Sequence, residues 1–88
     1  MNVSRKHKGA YSELIACSWL LEQGYEVFRN VSAFGPIDII AFKDGVEYKF
    51  DVKSTHPSYR TVGPRLTEEQ LKLGVKPIYV NIEGKCNF

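Results

Sequence analysis

Apolar residues near the start of the chain recur at helical spacing. Ala10, Leu14, Cys17, Leu20 and Leu21 predict an amphipathic helix from Ala10 to Gln23. Gly9 can begin this helix, and Gly24 is placed to end it in a left-handed cap. Tyr25 to Val31 reads as a strand, with Val27 and Val31 on one face and Phe28 on the other. Ser32-Ala33-Phe34-Gly35-Pro36 follows as a loop. The pattern then turns to period two over Ile37 to Lys43 and Val46 to Lys53. Asp44-Gly45 joins the two runs, the strongest short hairpin signal a sequence carries. Ser54 to Pro64 is irregular and polar. Thr67-Glu68-Glu69-Gln70 has the form of a capping box and opens a short helix that stops at Gly74. Pro77 to Ile82 is the last strand, with Ile78, Val80 and Ile82 along one face. The predicted order is αβββαβ, an α/β fold whose mixed central sheet is flanked by helices.

The hairpin has chemical consequences. A two-residue turn at Asp44-Gly45 pairs Lys43 with Val46, so opposed residues sum to 89. Ile37, Ile39, Ala41, Tyr48, Phe50 and Val52 then collect on a core face. Asp38 stands directly opposite Asp51 on the other, where Cβ atoms lie about 4.5–5.5 Å apart and like charges repel. A one-residue slip would bury the acids and expose the apolar set, so the register is well specified. Lys53 falls on the Asp51 side. Glu13, three residues after Ala10 and four before Cys17, lies on the inward stripe of the first helix. A carboxylate there is costly unless something positive meets it.

A hard divalent cation held by Glu13, Asp38 and Asp51 would relieve both the repulsion and the burial cost. Magnesium suits such oxygen ligands. Solvated surface pairing is the competing explanation, because Glu47-Tyr48-Lys49 and Glu83-Gly84-Lys85 share the acid-x-Lys form. Glu47 faces Phe42, however, and Glu83 follows the last strand. Only Asp51-Val52-Lys53 meets a partner acid. His7 and His56 read as solvated loop histidines.

Composition fits one domain spanning residues 1–88, with 43% hydrophobic, 25% charged and 12% aromatic residues. It excludes intrinsic disorder and low-complexity architecture. A domain this small buries roughly 60–65% of its unfolded surface, so modest stability is expected. No apolar run approaches the roughly 20 residues a membrane helix needs, and no signal-peptide stretch follows the basic N-terminus. Cys17 and Cys86 form no metal-binding spacing, so a reducing cytoplasm suits the chain, with Cys17 a small core residue.

Pro36-Ile37-Asp38, followed by Asp51-Val52-Lys53 thirteen positions on from Asp38, resembles the motif of the PD-(D/E)XK nuclease superfamily in relaxed form. One residue is inserted between Pro and Asp. The stretches Arg5-Lys6-His7-Lys8-Gly9-Ala10-Tyr11-Ser12-Glu13 and Gly24-Tyr25-Glu26-Val27-Phe28-Arg29-Asn30 more particularly resemble small archaeal-type Holliday-junction resolvases. The likeness covers roughly residues 5–55. It implies a restriction-endonuclease-like core and a metal-dependent endodeoxyribonuclease that leaves 5′-phosphate and 3′-hydroxyl ends. Glu13, Asp38 and Asp51 would hold Mg²⁺, or Mn²⁺ in its place, with the Val52 carbonyl as a further ligand. Lys53 would position the attacking water or neutralise the phosphate. Ser32 and Gln70 match residues found near such sites, and turn chemistry and helix capping explain them equally well. Asp51 departs from the commoner Glu by one methylene.

Basic residues frame the acids. Arg5, Lys6 and Lys8 precede the first acid, and Lys53, Arg60 and Arg65 occupy a second acid-free stretch with His56 and Tyr59. Such residues supply sequence-independent phosphate affinity. Net charge is only +2, but setting three metal-held acids aside leaves seven against 12 basic residues, a balance of +5. No base-reading motif is present, so structure-directed cutting of DNA, branched DNA above all, is expected. A homodimer is the expected working unit, with Trp19, Tyr25, Phe34 and Phe88 as candidate contacts. The competing functions are a nicking or restriction-like endonuclease of a phage or mobile element, and a catalytically silent DNA-binding module of the same fold.

Overall fold

A computed structural model describes residues 7–32, 34–54, 66–81 and 83–88. The elements are α1 (Lys8–Glu22), β1 (Glu26–Arg29), β2 (Ile39–Lys43), β3 (Val46–Ser54), α2 (Glu68–Lys72), β4 (Val75–Val80) and β5 (Cys86–Asn87). They form a five-stranded sheet in the order β1-β2-β3-β4-β5. Neighbouring strands are antiparallel except β3 and β4, which run parallel. A parallel step needs a crossover connection. α2 lies between these two strands in the chain. The sheet is therefore mixed and flanked by helices, as the αβββαβ pattern predicts, with β5 added at its edge. No helix among the described residues is long and apolar enough to cross a membrane.

Local chemistry explains the boundaries. Gly24, at φ +90°, ends α1 in a Schellman arrangement: Tyr25 N–H donates to the Leu20 carbonyl and Gly24 N–H to that of Leu21. Lys43 on β2 donates from Nζ to the Gln23 carbonyl at 2.7 Å, adding a cation at the negative end of the helix. The second helix is finished in a similar way, by Gly74 at φ +73° and by Lys49 Nζ, 3.3 Å from the Leu73 carbonyl. Its start is the capping box expected from Thr67 and Gln70. Asp44 and Gly45 both take positive φ, +53° and +78°, the conformation of a two-residue type I′ turn. Lys43 pairs with Val46 and Ile39 with Phe50, so the predicted register is the observed one.

The core lies between α1 and one face of the sheet. Ala16 and Leu20 pack on Ile39, Ala41, Phe50, Ile78 and Val80. Here the expected helix stripe needs correction. The buried line is Ser12, Ala16 and Leu20, while Leu14 and Leu21 are exposed. Small residues at positions 12 and 16 let α1 approach the sheet closely, which bulkier leucines would prevent. β1 stops at Arg29, so Val31 is fully exposed in the loop instead of sharing a strand face with Val27. β2 starts at Ile39, two residues later than its apolar pattern suggests. β4 starts at Val75, and Pro77 sits inside it, opposite Asp51. Ile82 lies outside the described residues.

Candidate active site

The hairpin carries its register past β2 to Asp38, whose N–H donates to the Phe50 carbonyl at 2.9 Å. Side chains alternate between sheet faces, so Asp38 and Asp51 share the face opposite Ile39 and Phe50. Val52 N–H donates to Asp38 Oδ2 at 2.8 Å and fixes the carboxyl across the two strands. Burial pushes the Asp38 carboxyl up to about 6; the Val52 hydrogen bond opposes the rise. Charge on Asp51, a hydrogen bond between the two carboxyls and charge on Glu13 reinforce it.

Asp51 is 7% exposed. Lys53 Nζ lies 2.9 Å from its Oδ2 as an ion pair. Oδ2 is a buried carboxylate oxygen with no hydrogen-bond partner among the described residues. Buried polar atoms are rarely left so. An oxygen donor in this condition, beside a second carboxylate, fits a hard cation such as Mg²⁺.

Glu13 is held differently. It comes from α1, which packs on the other face, and Arg29 Nε at the end of β1 lies 3.3 Å from its Oε1. Asp38 and Asp51 are brought together with Lys53, while Glu13 stands near enough to act on Asp38 but is engaged by Arg29. Among the described residues, no three His, Cys, Asp or Glu side chains are gathered closely enough to enclose a metal ion. The two aspartates therefore form the fitting part of the expected ligand set.

Other expected residues have structural partners. Ser32 Oγ donates to Asn30 Oδ1 at 2.6 Å, and Asn30 Nδ2 donates to the carbonyls of Phe34 and Ile37 at 2.8 and 2.9 Å. This network shapes the loop leading to Asp38. Gln70 is buried: Oε1 accepts from Thr67 N–H at 2.8 Å, and Nε2 donates to the Pro36 carbonyl at 3.0 Å. It caps α2 and ties that helix to the residue two before Asp38. Trp19 packs edge-on against Phe88, and Tyr25 against Tyr48 and Phe50, whereas Phe34 and Phe88 remain exposed. Both cysteine thiols are free and pushed up by burial, which suits neither nucleophilic nor metal-binding use. Arg5, Lys6, Arg60 and Arg65 lie outside the described residues, as do His56, Tyr59 and the side chain of Lys8.

Sequence reasoning missed Arg29, Ser12 and Asn30. Ser12 Oγ meets Ser54 Oγ at 2.7 Å and pins α1, one residue from Glu13, to the end of β3. The signal for Asn30 was legible: Asn followed two positions later by Ser is Asx-turn chemistry.

A protein of Campylobacter hominis is 41% identical over 81 residues, which cover 90% of this chain and 71% of the relative. It is named a UPF0102 protein. The chain belongs to the UPF0102 family. A UPF0102 protein of Campylobacter fetus is 39% identical over 72 residues, and one of Helicobacter hepaticus is 46% identical over 54. The match to this UPF0102 chain spans 63% and 49% of their lengths, so both relatives are considerably longer than the matched part. No family model matches the chain, and no solved structure matches it.

Proposed function

We propose that this UPF0102 chain is a divalent-metal-dependent endonuclease of the PD-(D/E)XK superfamily, hydrolysing phosphodiester bonds of DNA, with branched DNA the favoured substrate. The observation that carries the reading is the buried Asp51 carboxylate, face to face with a second aspartate, its Oδ2 ion-paired to Lys53 at 2.9 Å but accepting no hydrogen bond among the described residues. Asp38 and Asp51 would hold Mg²⁺ or Mn²⁺, joined by Glu13 and the Val52 carbonyl. When bound, the ion supplies a lower pKa for water and charge stabilisation at the phosphoryl group.

The chain's own groups do the rest. Val52 N–H keeps Asp38 Oδ2 in place. Lys53, half-buried beside Asp51, offers its ammonium to orient water or to neutralise the phosphate. Arg29 keeps Glu13 within reach of the pair. Gln70 holds Pro36 and with it the approach to Asp38. Arg5, Lys6, Lys8, Arg60 and Arg65 would grip backbone phosphates without reading bases.

The test is incubation with a four-way junction, a plain duplex and a single strand, each with Mg²⁺ or EDTA, beside Asp51→Ala. Cleavage of the junction is expected with Mg²⁺ only and absent in the variant. Metal-independent binding without cleavage would sink the enzyme reading. Equal cutting of plain duplex would point to a nicking or restriction-like enzyme.

A further inference from the structure

Phe28 is 51% exposed and Phe42 38% exposed, on the sheet face away from the core. Their rings meet edge to face, with centroids 5.9 Å apart. Phe28 pairs with Ile40 across β1 and β2, and Asn30 N–H donates to the Asp38 carbonyl one step further along. Phe28, Ile40 and Asp38 therefore share one face, and the ring stands within two strand positions of the aspartate pair. Phe28, Ile37, Ile40, Asp38, Arg29 and Asn30 line a cavity of about 220 Å³ at this place.

Three features narrow what the cavity takes. Its volume falls below the roughly 300–1,000 Å³ of pockets for drug-sized ligands, so it suits one planar ring system. Its walls are formed in advance, because Asn30 bonds to Phe34, Ile37 and Ser32 and fixes the loop. Those same bonds occupy the Asn30 amide, so it reads no base edge. An exposed aromatic ring beside a phosphate-handling centre is the arrangement by which single-stranded nucleic acid is stacked without sequence preference. Arg29, 42% exposed, also lines the cavity, its guanidinium paired with Glu13.

We propose that this cavity receives one unstacked DNA base next to the scissile phosphate, with Phe28 as its stacking platform. The proposal rests on the nuclease reading for the location of the phosphate. It narrows the substrate class to DNA with an unpaired nucleotide at a branch, bulge or nick, where unstacking is already done.

The test uses the full chain in EDTA, where no cleavage occurs, and a duplex carrying one bulged 2-aminopurine. Binding should quench the 2-aminopurine emission. Phe28→Val, which keeps a strand-forming residue but removes the ring, should bind the bulged duplex about tenfold more weakly and lose the quench. Its affinity for fully paired duplex should be unchanged, and Phe28→Trp should restore both signals. Equal affinity and equal quench in Phe28→Val would overturn the proposal. Quenching by wild type without any Mg²⁺-dependent cleavage would leave the stacking site standing and remove the nuclease reading. Cleavage without quenching would do the reverse.

Discussion

Asp38 is a carboxyl whose ionisation works against folding when no cation is near. Its pKa rises from 3.8 when unfolded to about 6 in the folded chain, chiefly through burial. The folded state therefore holds the proton more tightly, and stability is lost as pH rises from about 4 through about 6. Asp38→Asn keeps an acceptor for Val52 N–H and cannot ionise. With EDTA present, it should be more stable than wild type at pH 7 to 8. The expected gain is on the order of 1–2 kcal/mol, since solvent partly screens the half-buried group. The gain should vanish below about pH 4. Urea unfolding across this range checks it, and a loss of stability at pH 7 would contradict the account. At this scale the aspartate pair was legible because a two-residue turn and period-two alternation fix which residues oppose. Arg29 and Ser12 were not, since their partners come from elements distant in sequence and no local pattern announces them.

The hairpin is the element that aligns the site. Its turn requires positive φ at Asp44 and Gly45, and Gly45 at φ +78° would strain any side chain. Gly45→Ala should cost about 1–2 kcal/mol of folding free energy, read as a lower urea midpoint with an unchanged slope. Unchanged stability would mean that the hairpin tolerates another turn and that register is set elsewhere. Elements with strong local chemistry, namely the Asp-Gly hairpin and the Thr67–Gln70 capping box, were readable from the chain. The face of α1 was not. Apolar residues lie on several sides of that helix, and the choice falls to Ser12 and Ala16 because small side chains permit close approach to the sheet. β5, two residues long, is too short to leave a period.

Across the whole molecule, a single sheet brings the ends of β1, β2 and β3 to one place where acids, a lysine and exposed aromatics converge. The small net charge is the sum of an acidic centre and a more basic remainder. At the centre of this place Asp38 and Asp51 form the proposed cation site. Titration of the full chain with Mn²⁺, followed by the electron paramagnetic resonance of the free ion, tests it most directly. Wild type should remove Mn²⁺ from solution. Asp51→Asn should bind at least about tenfold more weakly, and Glu13→Gln should lose less, because Arg29 already engages Glu13. Equal Mn²⁺ uptake by wild type and Asp51→Asn, or none by either, would contradict the account.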